Sequence, residues 1–125
     1  MSYKPDGHTS LAPFLIVRSV EETLSFLEIV FGAQRLQVKI GCDGSVRHAE
    51  AMVDDTVLMI GEMAEPVPAH VHIYVPDVDR AYARALEMGC IRVLAPTEPI
   101  CGDRRSGVRD KDGITWWLVT QQRAA

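Results

Sequence analysis

An α+β fold built from two copies of one strand-helix-three-strand module is predicted by an internal repeat and by the turn chemistry that punctuates it. Leu15-Ile16-Val17 leads through a helical stretch to Phe31-Gly32-Ala33, and Ile73-Tyr74-Val75 leads through another to Met88-Gly89-Cys90. Each copy then ends in a hairpin signal, Val53-Asp54-Asp55-Thr56 in the first and Asp110-Lys111-Asp112-Gly113 in the second. Matching points lie about 58 residues apart, about half the chain. The expected modules are βαβββ units at about residues 10–62 and 68–121 of a single domain, with helices near 20–31 and 77–88 outside curved, mixed sheets. Neither module covers both faces of its own sheet, so pairing them is expected to enclose a cleft of the kind that holds ligands.

Residues 1 to about 9 read as a lead-in to the first strand, Leu11 to Val17, whose early Pro13 suits an edge position. Ser19 is the expected cap of the first helix, with Glu21 and Glu22 in the first turn. Val20, Leu24, Leu27 and Phe31 recur at helical spacing until Gly32 stops it. Leu36 to Ile40 alternates apolar with polar residues, which predicts a strand with one wet face, turning at Gly41-Cys42-Asp43-Gly44. Val46 to Met52 and Thr56 to Ile60 form the hairpin, and Glu62 to Pro68 joins the modules. In the second copy His70 to Val75 is a strand, Asp77 caps a helix, and Val78, Ala81, Tyr82, Ala85 and Leu86 make its buried stripe. Arg92 to Leu94 reads as a short strand and Ala95 to Ser106 as a long loop, the usual form of a lid or binding segment. Residues 107–109 and 114–120 complete the sheet.

The composition is that of an ordinary globule, 47% hydrophobic and 24% charged in 125 residues. A net charge of −4 without a basic stripe excludes a nucleic-acid footprint. No segment is long and apolar enough for a membrane span or a signal peptide, so no membrane partner and a cytoplasmic location are expected. Cys42, Cys90 and Cys101 have neither metal-site spacing nor a disulfide framework and read as reduced thiols, Cys90 as a small buried hydrophobe.

The doubled module, the Phe31-Gly32-Ala33 helix end, His48-Ala49-Glu50 before Val57-Leu58-Met59, and the whole closing run from Gly102 through Arg104-Arg105-Ser106-Gly107 and Asp110-Lys111-Asp112-Gly113 to Trp116-Trp117 resemble the vicinal oxygen chelate superfamily. That superfamily contains glyoxalase I, extradiol dioxygenases, fosfomycin-resistance enzymes and bleomycin-binding proteins, and the closing segment is most similar to its PhnB-like branch. Its metal-dependent members place four ligands on strands facing the cleft. The resemblance puts those slots at Ala12, Glu50, His70 and Trp117. Alanine offers no donor and the indole N–H carries no lone pair for a metal, so no metal cofactor is expected, and a divalent ion at Glu50 and His70 is the alternative. The resemblance also implies a homodimer.

His48 with Glu50, and His70 with His72, share strand faces at a spacing of two, so these four side chains are candidates for one cleft, and His8 can fold back toward it. Trp116 and Trp117 must point to opposite faces, one into the core and, by the family register, Trp117 into the cleft as an aromatic platform. Arg104, Arg105 and Arg109 either clamp an anionic group or pair with Asp103 and Asp110. Two function classes follow. The first is a small-molecule binding protein of the glyoxalase/bleomycin-resistance type. The second is a metal-dependent lyase, isomerase or dioxygenase in which Glu50 shuttles a proton.

Overall fold

The computed structural model describes residues 3–40, 47–98 and 102–121, which form two compact units, Met1–Pro66 and Val67–Ala125. The first contains β1 (Phe14–Val17), α1 (Val20–Phe31), β2 (Gln34–Ile40), β3 (Arg47–Val53) and β4 (Thr56–Glu62). The second contains β5 (Ala69–Tyr74), α2 (Val78–Glu87), β6 (Ile91–Thr97), β7 (Arg104–Arg109) and β8 (Ile114–Thr120). The sheet orders β1-β4-β3-β2 and β5-β8-β7-β6 are one topology used twice. In each, the first strand lies parallel to the last and the remaining pairs are antiparallel. These are the two βαβββ modules that the repeat predicts.

Local chemistry sets the helix limits. The Ser19 side chain accepts from the Glu22 backbone N–H at 3.2 Å, and Gly32 closes α1 at φ 68°, where a side chain would be strained. Asp77 caps α2 by accepting from Arg80 N at 3.1 Å. Glu62, at the end of β4, adds a long-range cap: its Oε2 accepts from Val20 N at 2.9 Å and ties α1 to the sheet. The Asp54 turn takes φ 53°, matching the two-residue hairpin between Val53 and Thr56.

Each helix covers one face of its own sheet. Val20, Leu24, Leu27 and Val30 of α1 are buried with Leu15, Val17, Ala49, Ala51, Leu58 and Ile60. In the second unit Val78, Ala81, Tyr82 and Ala85 of α2 are buried with Val108, Ile114, Trp116 and Leu118. Leu86 is half-buried at the margin of that stripe. Cys90 is buried and unpaired, and burial pushes its thiol up to about 12, so it is inert at neutral pH. Cys42 and Cys101, with the Gly41 to Gly44 turn, lie outside the described residues.

Two expectations need correction. β2 is exposed along its whole length, with Leu36, Val38 and Ile40 open to solvent, so it has two wet faces and not one. It is an edge strand, and α1 packs mainly over the neighbouring β3. The second concerns Ala95 to Ser106, expected as one long loop. β6 runs on to Thr97 and β7 begins at Arg104, so the connection is short. Pro96 fits inside β6 because that strand is also an edge, and two register shifts against β7, at Arg92/Leu94 and Leu94/Thr97, absorb its missing donor.

Candidate functional site

On the second sheet, alternation leaves His70, His72 and Tyr74 of β5, Trp117 and Val119 of β8, and Arg105 and Gly107 of β7 on the face away from α2. Cross-strand register sets them in rows: His72, Trp117 and Gly107 are level, and Tyr74, Val119 and Arg105 form the next row. An open pocket of about 430 Å³ lies here, lined by His72, Asp103, Arg105, Trp117 and Val119 among others.

Trp117 lies across this sheet. A Cβ on Gly107 would come within 2.7 Å of the indole Cζ3 and 2.9 Å of Cε3, so the benzo edge rests on β7 where only glycine leaves room. At its other edge the indole Nε1 donates to His70 Nδ1 at 3.1 Å, reaching β5. The two rings are nearly parallel, 7° apart, with centroids 6.2 Å apart. Both the N–H and the acceptor lone pair lie in their ring planes, so the rings meet edge to edge as one flat surface and not face to face. His72 adds a tilted edge contact to Tyr74 at 4.9 Å.

Trp116 points the other way and is buried, its Nε1 donating to Asp110 Oδ2 at 3.0 Å. Arg104 also leaves this face. It makes a two-pronged pair with Asp79 at 2.8 Å and a third contact to Glu98 at 3.3 Å, so it braces β7 against α2. That pair holds the Asp79 carboxyl below its usual range. Arg109 donates to Thr115 Oγ1 at 3.1 Å. Arg105 lines the pocket, and among the described residues no carboxylate pairs with it.

On the first sheet, His48 and Glu50 share the face opposite α1 with Phe14, Met59 and Gly61. Phe14 lies against Gly61 and meets the His48 ring at 5.5 Å. Glu50 is 9% exposed, and the N-terminal segment folds back so that His8 Nε2 reaches its Oε1 at 3.1 Å. The other ring nitrogen, Nδ1, faces the Asp6 carbonyl at 3.4 Å. Both partners only accept, so the two contacts together require a doubly protonated ring. The bond to Glu50, then that to Asp6, raises the His8 pKa above its ordinary value, against a smaller opposing effect of burial. A raised histidine contributes fully below its unfolded pKa of ~6.5 and loses that contribution as pH rises through the folded value. Backbone amides around His8 are therefore expected to exchange faster above that value, and His8→Gln to abolish this pH dependence. Amide exchange followed by NMR checks it, and an unchanged profile in the variant would contradict it.

The donors present do not fit the metal centre that the family resemblance implies. Ala12 has no ligating atom. A neutral imidazole has one lone pair, and His70 spends it at Nδ1 on the Trp117 N–H, which leaves a proton at Nε2. That ring cannot also bind a cation unless the indole bond breaks. Among the described residues, no group of three or more His, Cys, Asp or Glu gathers as a metal site would.

The model of the Glyoxalase/Bleomycin resistance protein/Dioxygenase superfamily matches residues 7–118. An uncharacterised protein of Mycobacterium bovis is 29% identical over 123 residues, covering 87% of this chain and 81% of its own. Among solved structures, TioX from Micromonospora sp. ML1 has a TM-score of 0.71 at 23% identity, covering 94% of this chain and 99% of that one. A glyoxalase I mutant from Zea mays has a TM-score of 0.74 at 24% identity over 86% of this chain, which spans 44% of that protein. At these identities the structural likeness establishes the fold. The family match runs over most of the sequence, and the chain belongs to the glyoxalase/bleomycin resistance protein/dioxygenase superfamily.

Proposed function

We propose that this protein binds a small, flat molecule on the open face of its second sheet and does so without the divalent metal centre found in many members of its superfamily. The observation that carries this reading is the posture of Trp117, laid across the sheet between Gly107 and His70 beside a pocket of about 430 Å³. An indole held at both edges and half-exposed beside a pocket offers a stacking surface to an aromatic ligand. His72 and Arg105 line the same pocket and supply polar contacts. Binding by a pocket of this size, with a few placed polar groups, requires no metal.

Trp117→Ala is the direct test. It is expected to weaken binding of a planar probe such as 2-naphthoate by about 1–3 kcal/mol, the scale of an aromatic contact plus its buried area. Calorimetric titration measures it, and an unchanged affinity would contradict the reading.

The proposal extends to assembly and setting. β2 presents a sheet edge together with exposed Leu36, Val38 and Ile40, an apolar edge that a second copy of the chain can cover, and a symmetric homodimer is expected. Sedimentation checks this, and a monomer that persists at high protein concentration would contradict it. Among the described residues no helix is long and apolar enough to cross a membrane, in keeping with the cytoplasmic location proposed here. Within the superfamily, the run from Gly102 to Trp117 favours the PhnB-like branch.

A further inference from the structure

We propose that the ligand of the second sheet is an aromatic anion, a flat ring system bearing a carboxylate or similar oxyanion, with the ring on Trp117 and the charge on Arg105. The inference rests on the binding reading above and adds the chemical class.

Its basis is the place of Arg105, the arginine that lines the pocket. Arg35 is held by Glu21 and Glu28, Arg104 by Asp79 and Glu98, and Arg109 by Thr115. Arg105 lines the pocket and is paired with none of the carboxylates among the described residues. The acid at the pocket, Asp103, has an interaction of its own within the protein. A guanidinium offers a planar fork of N–H donors suited to a carboxylate, and such charge-assisted bonds are stronger than neutral ones.

Register places the cation where it serves the platform. Arg105 is level with Val119, one row along the strands from the level of Trp117 and Gly107, on the same face. A ring stacked on the indole therefore reaches the guanidinium with a substituent in its own plane. His72, level with Trp117 on the neighbouring strand, can add a donor from the opposite side. His70 takes part as a positioning residue. It holds the indole N–H and so fixes the orientation of the ring beside the pocket.

The test compares 2-naphthoate with its neutral amide, 2-naphthamide, on the intact protein, following the two indole N–H signals by NMR. The naphthoate is expected to shift the Trp117 signal, with little change at buried Trp116, and to bind about tenfold more tightly than the amide. Arg105→Gln is expected to erase that difference by weakening the naphthoate about tenfold more than the amide. Equal affinity of the two probes for the native protein, or a preference that survives Arg105→Gln, would overturn the anion assignment and leave the binding face standing. Failure of both probes to shift Trp117 would overturn the assignment and the binding reading together.

Discussion

Trp116→Ala is expected to destabilise the second unit by about 3–5 kcal/mol, the range for removing a large aromatic side chain from a packed interior. Trp116 is 1% exposed, the largest fully buried side chain, and lies level with Val71 and Val108 on the neighbouring strands. Alanine there leaves a cavity in the layer that α2 covers, and it strands the Asp110 oxygen that the indole N–H now satisfies. A loss of this size is a large part of the roughly 5–15 kcal/mol that stabilises a typical domain. Urea unfolding followed by circular dichroism measures it, because the substitution removes a fluorophore. A loss below about 1 kcal/mol would show that the sheet does not depend on this side chain.

Asp110→Ala is expected to cost about 3 kcal/mol through a different cause. Its Oδ1 accepts from Asp112 N at 2.9 Å and Ile114 N at 3.1 Å, and its Oδ2 from Trp116 Nε1 at 3.0 Å. One carboxylate thus organises the β7–β8 turn, where Gly113 sits at φ 86°, and ties that turn to the core tryptophan. Alanine would leave three donors without this partner. Asparagine keeps an oxygen for the two backbone groups but faces the indole with an N–H, so about half the loss is expected. Burial, which outweighs these three bonds, raises the Asp110 pKa above its ordinary value. The folded chain therefore holds this proton more tightly than the unfolded chain. The resulting contribution is present below ~3.9 and is lost as pH rises through the folded value, a dependence that Asp110→Asn should remove. Equal stability of the alanine variant and the native protein would contradict this account of the turn.

Legibility followed the range of the interactions. Ser19 and Gly32 around α1, Asp77 before α2, and the Asp54 and Gly113 turns act within a few residues, and the sequence pattern placed both helices within a residue of their ends. The repeat placed the strands in their order because each copy is one topology. What depends on distant partners was hidden. The Glu62 bond to Val20 joins residues 42 apart, and no spacing announces it. The exposure of β2 follows from where α1 lands, and the continuation of β6 through Pro96 follows from its edge position.

The candidate site was legible by residue type and face, and much less by partner. Alternation correctly separated Trp116 from Trp117 and set His70 beside His72 on one face. The bond between Trp117 and His70 could not be read, since it depends on the absence of a side chain at Gly107, where the benzo edge of the indole fits. Arg104 and Arg105 are adjacent in sequence and indistinguishable in type, but alternation sends one to Asp79 on α2 and the other to the pocket. That single geometric fact divides a structural arginine from a candidate ligand-binding one.

The central claim, binding without the family's metal centre, is tested most directly by the metal content of protein purified without a histidine tag or chelator. The account predicts far less than one zinc, nickel, manganese or iron per chain, unchanged in Glu50→Gln and His70→Ala. A stoichiometric ion, lost together with an activity when either residue is replaced, would contradict it and identify a metal-dependent enzyme.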